Sequence, residues 1–185
     1  ARSAVASTDV TNWVQDVFPE VAQAAGADVR ALADAGDRGA AVETMARGAA
    51  KIVTGLHAEG RLDGILALGG SGGTAVATEA MRALPVGVPK LMVSTMASGD
   101  TRPYVGATDV TMTYSVVDIS GINAGSARIL ANAAAAMAGM ATADPPTVEG
   151  GKPLVGATMF GVTTPCVTAA RELFGSTMVE QVVMS

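Results

Sequence analysis

Ile65-Leu66-Ala67-Leu68-Gly69-Gly70-Ser71-Gly72-Gly73-Thr74 is the stretch whose reading decides the fold. Four apolar residues without alternation, too few for a helix, describe a strand covered on both faces. A glycine-rich turn follows at once, and a helical stretch from Ala75 to Leu84 comes next. The same unit recurs downstream. Leu91–Thr95 and Val110–Tyr114 read as further strands, and a long alanine-rich helix from Asn123 to Met140 follows them. After the polar break from Asp144 to Pro153, Leu154–Met159 reads as a fourth strand, leading into a helix that ends near Phe174. Parallel strands need a crossover, usually helical, so this repetition predicts an α/β layered domain with a mostly parallel sheet. Four strands form a narrow sheet whose edges need cover, so either a partner supplies the missing edge or the chain is part of something longer, and a fragment is the expectation.

Upstream, the pattern is helical and carries most of the charge. Val10, Trp13, Val14, Val17 and Val21 recur at three- and four-residue spacing within Asp9–Ala25, with Pro19 expected to bend or divide that helix. Ala27–Ala35 is a shorter helix ending at Gly36. Asp37 is placed to cap a third, which runs to the stop at Gly60. The expected organisation is therefore one domain over 1–185, with covering helices in 1–62 and strand–loop–helix units in 63–174. The tail from Gly175 to Ser185 suits either a helix or a strand.

Composition narrows the function classes. Across 185 residues the net charge is −5, which opposes general attraction to nucleic acid or to anionic lipid. Aromatic residues are 3% of a chain that is 49% hydrophobic, so the core must be built from aliphatic side chains and methionine. No run of 18 apolar residues occurs, so no spanning helix is expected, and Ala1–Asp9 lacks the apolar segment of a secretion signal. The single Cys166 has no disulfide partner, and with the single His57 it does not supply a thiolate-rich zinc site. The expected setting is reducing and cytoplasmic.

Ligands of open parallel sheets bind beyond the carboxyl ends of the strands. Three segments hold that position: Gly69–Thr74, Ser94–Asp100 and Phe160–Thr164. In the first, four glycines admit positive φ angles and close backbone approach, while the following helix aims its free amides at the same point, making a cradle for phosphate or carboxylate. The second offers the hydroxyls of Ser94, Thr95 and Ser98, the flexible Gly99, and Asp100, which suits a hydrated Mg²⁺ or a ribose hydroxyl. In the third, Thr164 is placed as an N-cap with Pro165 at the first helical position, leaving Gly161 and Thr163 to face a ligand. Asp118 and Asn123 flank the start of the alanine-rich helix, and capping it is their expected role.

Three motifs compete for the glycine run. A Walker A loop is ruled out, because no Gly-Lys-Ser/Thr follows. Gly70-x-Gly72-x-x-Ala75 satisfies a dinucleotide fingerprint, yet the next strand ends Ser94-Thr95, without the acidic residue that ribose requires. Gly69-x-Ser71-x-Gly73 satisfies a nucleophile elbow, making a serine hydrolase with Ser71 as nucleophile an alternative. His57 precedes Ser71, against the chain order of that hydrolase class.

Longer motifs carry a resemblance. Gly69–Thr74, Met81-Arg-Ala-Leu-Pro-Val-Gly-Val-Pro-Lys90, Val93-Ser-Thr-Met-Ala-Ser-Gly-Asp100, Pro103-Tyr-Val-Gly106, Tyr114-Ser-Val-Val-Asp118 and Thr158–Cys166 closely resemble the family of the tomato mosaic virus resistance protein and its bacterial relatives. The resemblance covers about Asp28 to Phe174. It implies an ATP-binding, Rossmann-like three-layer domain, commonly dimeric, within a longer chain of two such halves. By motif it assigns ATP, with or without Mg²⁺, to Gly69, Gly70, Ser71, Gly72, Gly73, Thr74, Ser94, Thr95, Ser98, Gly99 and Asp100, and also to Thr163 and Thr164. A viral replication protein is implied as a partner only by analogy with the plant member. A non-catalytic interaction module stabilised by nucleotide is a further alternative.

Overall fold

In the computed structural model of the protein, residues 18–144, 154–158, 161–178 and 180–184 are described. The expected helix from Asp9 is seen only over residues 18–24, here α1, and its earlier part lies outside the described residues. α2 (Val29–Asp34) begins where the Asp28 carboxylate accepts the amides of Arg30 and Ala31, both at 2.9 Å. α3 (Arg38–Ala58) is capped as expected by Asp37, which accepts the Ala40 amide at 3.0 Å. It stops at Gly60, whose φ of +66° lets the amides of Gly60 and Arg61 turn back onto the carbonyls of His57 and Leu56.

Strands β1 (Ile65–Gly69), β2 (Lys90–Ser94) and β3 (Thr111–Tyr114) form a parallel sheet in that order. Leu66 pairs with Leu91, and Met92 with Met112. Central β2 is buried at all five positions. Its alternation sends Leu91 and Val93 to one face, where they pack with Ala133, Ile129, Leu130 and Met137 of α6 (Ala124–Thr142). α4 (Ser71–Arg82) lies across the other face, joined to Ser94, and α3 packs on α4. Helices therefore lie on both faces of β2, a Rossmann-like layout, but β1 is not covered on both faces as expected: Leu66 and Leu68 are exposed, because the α6 layer centres on β2. Each of Leu91, Met92 and Val93 contributes about 2 kcal/mol through burial. The short α5 (Arg102–Val105), which periodicity did not reveal, is fastened by Arg82 Nη1 donating to the carbonyls of Pro103 and Tyr104 at 3.1 and 2.7 Å.

The expected fourth strand does not extend this sheet among the described residues. β4 (Leu154–Thr158) pairs instead in parallel with β5 (Glu180–Met184), with α7 (Thr164–Met178) between them in sequence. Residues 1–143 and 144–185 each form a compact unit. The pairing of β4 follows from the tail: Gln181-Val182-Val183-Met184 supplies a parallel partner that the sequence reading left unassigned.

Two contacts hold the first unit away from the strand ends. At Gly48 an added Cβ would sit 1.9 Å from the Val21 carbonyl oxygen, so only glycine lets α3 meet α1 so closely. At the start of β2, fully buried Lys90 donates to Pro85 O, Val88 O and Asp109 Oδ1 at 2.7, 2.9 and 2.7 Å. Burial acts to raise the Asp109 carboxyl, but the hydrogen bonds from Lys90 and the Gly87 amide, with the ammonium charge, outweigh it and hold it below the usual carboxylate range.

Gly48→Ala is expected to lower unfolding stability by about 2 kcal/mol through forced separation of the two helices, measured by urea denaturation. Asp109→Asn is expected to cost a similar amount, about 2 kcal/mol, by leaving the Lys90 ammonium short of its counter-charge. A depressed carboxyl stabilises the fold above its unfolded pKa of about 3.9 and loses that contribution as pH falls through the folded value. The Asp109→Asn protein should therefore show a weaker loss of stability below about pH 4 than the parent in acid titrations followed by circular dichroism.

Candidate functional site

The carboxyl ends of β1, β2 and β3 bring the first two predicted segments together. Gly69 closes β1, Gly70 is the N-cap of α4, and Ser71-Gly72-Gly73-Thr74 is already the first helical turn. None of the four glycines uses the positive φ that glycine admits. Their role is close approach. A Cβ on Gly69 would lie 2.9 Å from Gly73 Cα, and a Cβ on Gly73 would lie 3.7 Å from Leu68 O, so strand end and helix start touch backbone to backbone.

Helix starts leave amides without intrahelical acceptors. Gly70 offers no side-chain cap, and its carbonyl accepts only the Thr74 amide, at 2.8 Å. Among the described residues the amides of Ser71, Gly72 and Gly73 have no acceptor, and Ser71 and Gly73 are exposed. The macrodipole adds partial positive charge at the same place.

Arg38, which the sequence reading missed, adds a full positive charge. It opens α3 directly after the Asp37 cap, and its Nη2 lies 3.7 Å from the position of a Cβ on Gly72. The guanidinium is exposed and has no acidic partner among the described residues. Its position depends on α3 packing against α4. The only local signal was a cation just inside a capped helix start, where an anion is normally favoured.

Thr74 and Ser94 prove to be internal. Both are fully buried, and their hydroxyls lie 2.6 Å apart. Thr74 Oγ1 also donates toward Gly69 O at 3.4 Å, and Ser94 Oγ accepts the Met96 amide at 2.9 Å. They brace the strand ends rather than present hydroxyls to a surface. Thr95 is half-buried; its amide donates to Gly69 O at 3.3 Å, and its Oγ1 is 3.6 Å from a Cβ on Gly70. It is the hydroxyl that borders the α4 start.

Ser98, Gly99 and Asp100 are exposed in the turns after β2. The Asp100 carboxylate binds the Arg102 side chain at 2.8 and 2.7 Å and the Arg102 amide at 3.1 Å, which hold its pKa below the ordinary range. Thr163 and Thr164 belong to the other unit. There α7 starts at Thr164 itself, and Thr163 O accepts the Val167 amide at 3.0 Å, so the expected cap shifts by one residue. Asn123 caps α6 as expected, in a reciprocal box with Ser126. At the end of β3, Val116 has φ +63°, a strained value for a β-branched residue, in a γ-turn closed by the Val117 amide on Ser115 O at 2.7 Å.

The Ser71 alternative does not find its base in this arrangement. Ser71 opens a helix without the strained backbone of an elbow. His57 is 19 residues along α3 from Arg38, about 28 Å at 1.5 Å per residue.

The fold and this strand-end arrangement define a parallel α/β unit with an open, electropositive helix start. Residues 3–146 match the N-terminal domain of the uncharacterised protein family UPF0261, and the chain belongs to that family. A UPF0261 protein of Clostridium tetani is 58% identical over 153 residues, which cover 83% of this chain and 38% of that protein. A UPF0261 protein of Mesorhizobium japonicum is 49% identical, covering 76% and 34%. The ToMV resistance protein Tm-1(GCR237) of Solanum lycopersicum is 45% identical over 140 residues, covering 73% of this chain and 19% of that protein. The chain thus spans roughly a third of the bacterial relatives' length. Thr163 and Thr164 lie beyond the residues that match the family domain.

Ser94→Ala leaves the Met96 amide without its acceptor and should lower stability by about 2 kcal/mol in denaturant titrations. Combined with Thr74→Val in a double-mutant cycle, it should show a coupling of about 1 kcal/mol, since the two hydroxyls bond each other.

Proposed function

We infer that this domain binds a nucleotide, ATP by preference, through its phosphates at the start of α4. One observation carries the reading: three first-turn amides without acceptors among the described residues share the start of α4 with the Arg38 guanidinium, whose Nη2 lies 3.7 Å from a Cβ on Gly72. Backbone amides at a helix start favour anions, and a guanidinium gives a phosphate charge-assisted bonds. Thr95 Oγ1 is placed to add a hydroxyl donor beside Gly70. The buried Thr74–Ser94 pair keeps the amides and Thr95 in fixed register. In this reading Mg²⁺ travels with the phosphates, and Asp100 joins it only on release from Arg102. The residues in hand bind and orient a phosphorylated ligand; they supply no nucleophile–base pair.

Calorimetry of the protein with ATP, ADP and NAD, with and without Mg²⁺, tests the reading. Heat of binding for ATP, weakened about tenfold in Arg38→Gln and falling with rising salt, is the expected result. No heat for any of the three overturns it.

A further inference from the structure

A groove of about 500 Å³ runs between α3 and α4 and ends at α5. Val42, Ala46 and Ala75 are among its apolar lining, and Tyr104 of α5 lines it as well. It opens beside the α4 start, because Val42 Cγ2 lies 4.0 Å from a Cβ on Gly72, next to Arg38. We propose that this groove seats the sugar and base of the nucleotide whose phosphates the α4 amides and Arg38 hold, an inference that rests on the phosphate reading above. The ligand would then leave the phosphate point along the helical layer instead of crossing the ends of β2 and β3.

Size and chemistry both support that direction. A volume of about 500 Å³ falls within the range of small-molecule sites. From Ala75 to Arg82 the groove follows α4 for about 10 Å, the length of a nucleoside. On the other side, the cavity beside Val93, Ser115 and Ile129 holds only about 10 Å³, less than a base needs. Two ion pairs line the groove, Arg47–Glu43 at 2.7 Å and Arg82–Glu79. Their charges cancel, which suits a neutral group, and Glu43 Oε2 and Glu79 Oε1 have no partner among the described residues, so they are free to accept from sugar hydroxyls or a ring amine. A hydrocarbon tail would instead leave these polar groups facing an apolar surface. Tyr104 offers a ring against which a base can pack.

The test is calorimetry with ATP and with inorganic pyrophosphate on the parent protein, Ala75→Phe and Tyr104→Ala. ATP is expected to bind the parent more tightly than pyrophosphate, to lose about tenfold in Ala75→Phe and about fivefold in Tyr104→Ala, with pyrophosphate changed by less than about twofold in both. Retained pyrophosphate binding also shows that each variant is folded. If ATP binds both variants as it binds the parent while pyrophosphate still binds, the base and sugar sit elsewhere, and only the phosphate reading survives. Equal losses for ATP and pyrophosphate, or a parent that binds both ligands equally, also overturn the groove assignment. A parent that binds neither ligand overturns both readings.

Discussion

The hydroxyls of Thr74 and Ser94 meet 2.6 Å apart, sealed from solvent, and the candidate site depends on that bond. It fixes the first turn of α4 to the end of β2, which is covered at every position. Through Ser94 O, which accepts the Ser115 amide at 3.1 Å, the same residue reaches the end of β3. The amides of Ser71, Gly72 and Gly73 therefore sit on a rigid mount, although they have no acceptor themselves. A helix start held this way can receive an anion without prior ordering, which is the main cost that a flexible loop would add.

Glycine serves this mount by removing volume rather than by bending the chain. At Gly69 and Gly73 the absent Cβ lets strand and helix backbones touch. Gly48 allows the same kind of approach where α3 meets α1. Arg38 reaches Gly72 through a different contact, the packing of α3 on α4.

At the opposite end of the sheet, Lys90 and Asp109 do comparable work with charge. The ammonium ties the loop before β2 to the segment before β3, and every donor it has is used. Among the described residues every buried side-chain polar atom has a hydrogen-bond partner, whereas the amides of Ser71, Gly72 and Gly73 have no acceptor. That contrast, more than the number of glycines, marks the α4 start as a candidate site. The family to which the chain belongs carries no assigned activity in its description, so the chemistry of these few atoms is the ground for the functional reading.

Much of this was legible in the sequence because it is local. Apolar runs mark strands, Asp37 and Asn123 mark helix starts, and Gly60 marks a stop, each through bonds that span only a few residues. The glycine run likewise showed where backbone would come close to something. The positive φ that glycine permits went unused, because here the helix simply begins two residues after the strand. Long-range placement decided the rest. Only the packed structure turned Ser94 and Thr74 inward onto each other, carried Arg38 across from α3, and paired β4 with the tail. Those outcomes follow from which helix lies on which sheet face, and contacts between residues twenty or more apart leave no periodic trace in the chain.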